Sequence, residues 1–339
     1  MIHVAHSSSS SAGSSSSEDK YQLWRTDRMA ARDLAVEMIL LLQTIFGFLG
    51  NFSLLYHYLP CYFTRCRLRS TDVIVKNLIV ANLLVLLSSG IHYTMSHFEW
   101  HHFLKDFGCR FFPYVRAVGR GVSIGTTCLL SVFQAIMISP RNSKWAELKV
   151  KALKCIVPSI FFCWILQMLV NVIYPTFMSW NNKNITNRKT FRHCSAARHD
   201  KTRDSLYAAL LSFPDVFCLL LMVWASVSMV LTLHRHKQRV QHIHRTNISS
   251  RSSPESRATQ TILLLVSSFV FFYIISSIFR MCLSLFKNPN GFFLNITFVI
   301  TLCFPTVSPF LLRSRDSSVS RLCLVCIRNI KSTNLVRTM

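Results

Sequence analysis

The chain has 339 residues, of which 51% are apolar and only 15% are charged, whereas soluble domains carry about 25% charged residues. The apolar residues fall in long blocks between short basic or polar stretches, which is typical of a membrane protein and excludes one large soluble core. In a soluble chain, a net charge of +24 would suggest a nucleic-acid partner, but the apolar blocks argue against one here. We expect the basic residues to set the membrane topology and to contact anionic lipid.

The N-terminal segment differs from the rest of the chain. A Ser-rich run extends from Ser7 to Ser17, and no apolar segment precedes it, so it does not have the pattern of a signal peptide. We predict a disordered tail over residues 1–33. The first apolar segment would then act as an uncleaved anchor.

Seven apolar segments follow the tail, and each is long enough to cross the membrane as a helix. A helix needs about 20 residues to cross roughly 30 Å of hydrocarbon. The sequence therefore predicts an all-α membrane protein, a seven-transmembrane helix bundle over residues 34–312, with a C-terminal tail over residues 313–339. The third span is the least certain by hydropathy because it contains Arg116 and Arg120. The predicted spans are residues 36–58, 73–93, 111–138, 155–174, 206–233, 259–285 and 292–312.

The loops predict an extracellular N-terminus and a cytoplasmic C-terminus. An odd number of spans puts the termini on opposite sides, and Lys and Arg moderately favour this orientation. It places the glycosylation sequon at Asn184 outside the cell, in the loop 176–204. Cys109 and Cys194 would both face the oxidising side, where a disulfide would tether this loop to the third helix. We expect no glycan at Asn51, which would lie in a span, or at Asn247, which would lie in the cytosol, and the sequon at Asn295 lies at the membrane edge, where its use stays open.

Several stretches resemble the vomeronasal type-1 receptors, a family of G-protein-coupled receptors. The resemblance covers residues 37–330 and rests on the motifs together, since each alone would be weak. It implies a rhodopsin-like fold in the plasma membrane, a pheromone-like small-molecule ligand and coupling to an inhibitory-class heterotrimeric G protein. The matching stretches are KNLIVANLLVLLSSGI at 76–91, CLLSVFQAI at 128–136, MVWASVSMVLTLHRHKQRVQHIH at 222–244, RATQTILLLVSSFVFFY at 257–273 and CFPTVSPFLL at 303–312.

Departures from the main rhodopsin-like pattern are shared with the vomeronasal branch. The inner end of the third helix reads Ser131-Val132-Phe133-Gln134-Ala135, so it lacks the acidic-Arg-aromatic triplet that forms an ionic lock. Asn82 stands where an Asp would help to hold sodium, and Ser308-Pro309 stands where Asn-Pro is usual. We therefore expect neither that lock nor a charged sodium site.

Four charged residues are candidates for the ligand site. Arg116 and Arg120 are spaced i, i+4 on one face of the third helix, and intramembrane arginines usually face the bundle interior. These arginines would form a cationic wall of the ligand pocket. Alternatively, they would have a structural role, in which Glu37 of the first helix pairs with one of them. Glu37 lies at the outer edge of the first span, where exposure at the interface is the alternative. Asp215 follows Pro214 and would contact either the ligand or Arg120.

Two inner segments carry weaker signals. A metal site at His234, His236, His242 and His244 lacks a completing acid or Cys, so we expect a basic extension of the fifth helix near lipid head groups. Cys323 and Cys326 follow the seventh span and are candidates for palmitoylation.

Other function classes fit the sequence less well. No catalytic motif and no cofactor motif appears, so we expect no enzyme. A small-solute transporter would show a repeat in its two halves or broken helices at the midplane, and neither is present in the sequence. A bitter-taste-type receptor shares the missing triplet and stays the nearest alternative among receptors.

Overall fold

The structure is a computed structural model, and the part of the chain that it describes contains seven α-helices and three short β-strands. The helices run in chain order as α1 (Ala12–Phe63), α2 (Ser70–Met95), α3 (His102–Ile138), α4 (Ser143–Asn171), α5 (Lys201–Ile243), α6 (Pro254–Leu285) and α7 (Asn295–Arg313). Together with the strands and short adjoining turns, the described residues are 12–63, 70–95, 102–139, 143–172, 178–180, 188–191, 194–197, 201–243, 254–285 and 295–313.

The predicted seven-span fold is confirmed. Six helices contain a segment that is long and apolar enough to cross a membrane: Leu34–Tyr58, Thr71–His92, Phe107–Ile138, Ala146–Asn171, Ser212–Thr232 and Asn295–Arg313. Helix α6 has a shorter apolar segment, Leu263–Phe279, within a helix of 32 residues. At 1.5 Å per residue that helix is about 48 Å long, which exceeds the thickness of the hydrocarbon core.

Helix α1 begins earlier than the sequence predicts. We expected disorder through residue 33, whereas α1 is continuous from Ala12 to Phe63 and extends well beyond the span that begins at Leu34. Nine of the 16 residues 18–33 are Ala, Glu, Lys, Leu, Met or Arg, which have high helix propensity, so this stretch continues the helix toward the N-terminus once the apolar span supplies a nucleus. The rest of the predicted tail lies outside the described residues.

A three-stranded antiparallel sheet forms between α4 and α5 in the chain. Strands β1 (Met178–Trp180), β2 (Arg188–Phe191) and β3 (Cys194–Ala197) lie in the order β1-β3-β2. Trp180 and Phe191 both pair with Cys194 at the start of the central strand. Strand β1 also contacts α3, so the sheet lies against the helix that carries Cys109.

Helix α3 is the centre of the bundle. Of its spanning segment 67% is buried, compared with 11% for α4, and α3 contacts α2, α4 and α5. Close approach to α4 depends on Gly125, because a Cβ atom there would overlap Sγ of Cys163. The side chains of α3 are therefore the ones best placed to line an interior site.

A proline in α7 explains why that helix is joined to α1. Pro309 has no backbone N–H, so it gives no helical hydrogen bond to the carbonyl of Pro305, four residues earlier. Nδ2 of Asn51 donates to that carbonyl at 2.8 Å and also to the carbonyl of Gly47 at 2.8 Å. Asn51 is fully buried, which agrees with the expectation that its sequon carries no glycan.

Candidate functional site

A polar cluster joins three helices near the middle of the α3 span. Nη2 of Arg120 donates to Oδ2 of Asp215 at 2.8 Å, and the hydroxyl of Tyr273 donates to the same oxygen at 3.5 Å. The guanidinium carbon of Arg120 also lies 5.9 Å from the centroid of the Tyr273 ring. Asp215 was predicted to contact either the ligand or Arg120, and the structure confirms the contact with Arg120. Helices α3, α5 and α6 therefore meet at one carboxylate.

A cavity of about 40 Å³ lies beside this cluster. It has room for roughly three water molecules. Its polar lining atoms belong to one cation and several hydroxyl-bearing side chains, and the rest of its wall is aromatic or aliphatic. The lining residues are Arg120, Ser123, Tyr273, Ser276 and Thr301, together with Val85, Phe269, Phe272, Ile300, Phe304 and Pro305.

The other two charged candidates lie outside the wall of this cavity. Arg116 is one helical turn from Arg120, and its guanidinium carbon lies 4.5 Å from the centroid of the Phe298 ring in α7. That geometry is a cation–π contact, typically about 0.5–2 kcal/mol, and it joins α3 to α7. Glu37 is half-buried in α1. The structure thus brings Arg120 and Asp215 together, and a ligand role for Arg116 or Glu37 stays a prediction.

A second polar cluster borders the cavity through Ser123. The hydroxyl of Ser123 donates to Oδ1 of Asn82 at 2.9 Å, and Nδ2 of Asn82 donates to the hydroxyl of Ser308 at 2.8 Å. All three side chains are buried, and Ser123 also lines the cavity. Neutral hydrogen bonds thus join α2, α3 and α7 where an Asp would supply the charge of a sodium site.

The N-terminal part of α3 carries a disulfide. Cys109 is 2% exposed, and its sulfur is disulfide-bonded. Cys194, the predicted partner, is the first residue of β3. Strand β3 pairs with β1, and β1 contacts α3, but the side chain of Cys194 lies outside the described part of the structure.

Four other candidates from the sequence lie outside the described residues: Asn184, Cys323, Cys326 and His244. The basic extension of the fifth span is helical to Ile243, and Nε2 of His234 contacts Nε2 of Gln238 at 3.0 Å.

Sequence reasoning missed the contributions of α6 and α7 to the site. Phe269, Tyr273 and Ser276 line the cavity at positions i, i+4 and i+7 of α6, which is the spacing of one helical face. That periodicity was readable, but α6 is apolar on all sides, so the pattern does not show which face is interior. Phe298 carries no sequence signal of its own, because its contact with Arg116 depends on how α7 packs.

The arrangement is suited to binding a small molecule. Arg120 is charge-paired, and the cavity offers a guanidinium, four hydroxyl groups and aromatic faces. In the described part of the chain, no cluster of three His, Cys, Asp or Glu residues is placed to hold a metal ion. Such a surface recognises a mostly apolar molecule through a few polar contacts.

Comparison with known proteins gives consistent matches along the chain. Residues 34–325 match the family described as the vomeronasal organ pheromone receptor family. The chain is 55% identical over 297 residues to vomeronasal type-1 receptor 4 of Homo sapiens, covering 87% of this chain and 98% of that one. It is 51% identical over 313 residues to vomeronasal type-1 receptor 3 of Homo sapiens, covering 91% and 100%. It is 35% identical over 280 residues to vomeronasal type-1 receptor 45 of Mus musculus, covering 80% and 86%.

Proposed function

The chain belongs to the vomeronasal organ pheromone receptor family, and from this premise we propose that the cavity beside Arg120 and Asp215 is its small-molecule site. The family is one of receptors and not of enzymes, and its members are G-protein-coupled. The ligand is a pheromone-like small molecule that arrives from outside the cell. The observation that carries the proposal is a cavity lined by residues of α2, α3, α6 and α7, with Arg120, one member of a mostly buried ion pair, in its wall.

Two physical arguments support this site. Burying a charged pair is costly, so an ion pair at mid-membrane depth usually marks a functional position. The cavity is also small relative to pockets for drug-sized ligands, which are about 300–1,000 Å³. A ligand of that size can bind only if the cavity becomes larger, which requires α3, α6 and α7 to move apart. Binding is in this way coupled to a change in packing, which is the requirement for a receptor that works by a population shift.

The proposed topology places the N-terminus outside and the C-terminus in the cytoplasm. Under this topology Cys109 pairs with Cys194, and Asn184 carries a glycan on the same outer loop. The inner ends of α5 and α6 then face a heterotrimeric G protein, for which the inhibitory class is expected from the family. The basic inner extension of α5 suits a surface beside anionic lipid and that partner. Cys323 and Cys326 would anchor the tail by palmitoylation.

The test is a G-protein activation assay in a cell line that expresses the receptor. The receptor is tested against volatile and steroid-like compounds, with surface labelling of the N-terminus without permeabilising the cells. We expect at least one compound to activate an inhibitory G protein and Arg120→Gln to reduce the response at equal surface level. Glu147→Gln is the matched control, because Glu147 lies on the exposed part of α4 and pairs with Lys151. Responses that survive Arg120→Gln would reject the site. Uptake of the compound without G-protein activation would indicate a transporter.

A further inference from the structure

The two members of the Arg120–Asp215 pair are placed differently relative to the cavity. The Arg120 side chain is 23% exposed and lines the cavity. The Asp215 side chain is 4% exposed and is not among the lining residues. A molecule that enters the cavity therefore meets the guanidinium, and the carboxylate lies behind it.

The carboxylate holds α5 and α6 to α3 through a single oxygen atom. Oδ2 of Asp215 accepts from Nη2 of Arg120 at 2.8 Å and from the Tyr273 hydroxyl at 3.5 Å. A ligand atom that takes the Arg120 donor removes the ionic contact between α3 and α5. It also disturbs the cation–π contact in which the guanidinium carbon lies 5.9 Å from the centroid of the Tyr273 ring.

We propose that Asp215 is an internal competitor, a carboxylate that occupies Arg120 until an acceptor group of the ligand displaces it. This rests on the function proposed above. The displacing group is anionic or a strong hydrogen-bond acceptor, because the donor it must bind is a guanidinium. The body of the ligand is apolar, because Phe269, Phe272 and Phe304 form the wall next to Arg120.

The exchange has a cost that falls on Asp215. The guanidinium stays paired throughout, first with the carboxylate and then with the ligand. The Asp215 side chain is buried and loses its charged partner in the exchange. Its Oδ2 atom still accepts a hydrogen bond from the Tyr273 hydroxyl. This cost lowers ligand affinity. The cost of leaving Asp215 without its charged partner disappears when the carboxylate is replaced by a neutral group. Removing the charge of Asp215 should therefore tighten the binding of an anion to Arg120.

Three probes that share one ring system and differ in head group test the charge of the ligand. The probes are 2-naphthoate, 2-naphthalenemethanol and 2-naphthylmethylamine, titrated by NMR into the purified receptor in nanodiscs, with empty nanodiscs as the blank. We expect the carboxylate to bind about tenfold more tightly than the alcohol, and the amine to bind most weakly. Equal affinities, a preference for the amine, or no binding of any probe would overturn the proposal.

The Asp215→Asn variant tests the competition itself. We expect its affinity for 2-naphthoate to rise by about tenfold while its affinity for the alcohol is unchanged. Glu147→Gln removes the same charge from an exposed pair on α4 and should change neither affinity. An unchanged or weaker affinity of Asp215→Asn for the anion contradicts the idea of a competitor.

A double variant covers the case in which Asp215→Asn alone does not fold. Arg120→Gln with Asp215→Asn replaces the ion pair by two amides that can bond to each other, and it should lose the preference for the carboxylate. A preference that persists in the double variant also overturns the proposal. No G protein takes part in these titrations, so a failure of binding would count against this inference, whereas a failure of cellular signalling alone would count against the G-protein coupling in the proposed function.

Discussion

The ion pair between Arg120 and Asp215 should hold the bundle together far more strongly than an exposed ion pair does. A double-mutant cycle with Arg120→Gln, Asp215→Asn and both changes measures the coupling free energy of the two side chains. A second cycle with Lys151→Gln, Glu147→Gln and both is the matched control. The control pair has an N–O distance of 2.7 Å, nearly the same as the 2.8 Å of the interior pair.

The expected magnitudes follow from burial. Two unit charges about 4 Å apart interact by about 4 kcal/mol at an effective dielectric constant of 20. The Arg120 side chain is 23% exposed to the cavity, so screening lowers this value, and we expect a coupling of about 2 kcal/mol. The side chains of the control pair are 68% and 70% exposed, and we expect about 0.5 kcal/mol or less.

Thermal unfolding of the solubilised receptor, followed by the fluorescence of its six Trp residues, gives the assay. One scan rate is kept throughout, because unfolding of such a protein is commonly irreversible and its midpoint then depends on the rate. At about 2.1 cal/mol/K of unfolding entropy per residue, a coupling of about 2 kcal/mol corresponds to a difference of about 3 °C in midpoint for a chain of 339 residues. A coupling at Arg120–Asp215 no larger than that of the Glu147–Lys151 pair would refute the argument from burial.

Three further predictions follow from particular contacts. Asn51→Ala leaves the Pro305 carbonyl without its donor and should cost about 1–3 kcal/mol, measured as a lower unfolding midpoint, whereas an unchanged midpoint would contradict this account of Pro309. Gly125→Ala should lower the unfolding midpoint, because the added Cβ overlaps Sγ of Cys163. Adding Cys163→Ala to this variant should restore part of the loss, and no restoration would show that the clash is elsewhere. Asn184→Gln should increase electrophoretic mobility to that of the deglycosylated receptor, and an unchanged glycan would exclude this sequon.

Spans were predictable from the sequence because hydropathy is a local property. Each predicted span overlaps an observed helix, and the span that contains Arg116 and Arg120 belongs to the most buried of the six long apolar helices. Hydrocarbon thickness sets the length of every span in the same way, whatever the neighbouring helices are. The start of α1 was missed, because the Ser-rich run drew the prediction toward disorder although residues 18–33 favour a helix.

The candidate site was predictable only in its charged members. A charge inside a span is costly, so Arg120 and Asp215 had to find partners, and few partners exist in an apolar bundle. Neutral residues carry no such constraint. Tyr273 could face lipid or the interior with equal ease by sequence, and only the packing of α6 against α5 decides between them. The contact of Asn51 with Pro305 was hidden for the same reason, since the sequence separation is 254 residues.

The missing acid–Arg triplet changes where the ligand can act. Toward the C-terminal end of α3, Ser131 donates to the carbonyl of Thr127 in its own helix, and the ion pair to α5 lies 11 residues earlier in α3, about 16 Å along the axis. At that depth the contact borders the cavity, so a ligand would act on it directly. A hundredfold population shift needs about 2.7 kcal/mol of differential binding, close to the coupling of about 2 kcal/mol expected for Arg120 and Asp215. Exchange of this one contact would therefore remove stabilisation of about that size from the packing against α3 of α5 and α6, the two helices whose inner ends face the proposed G protein.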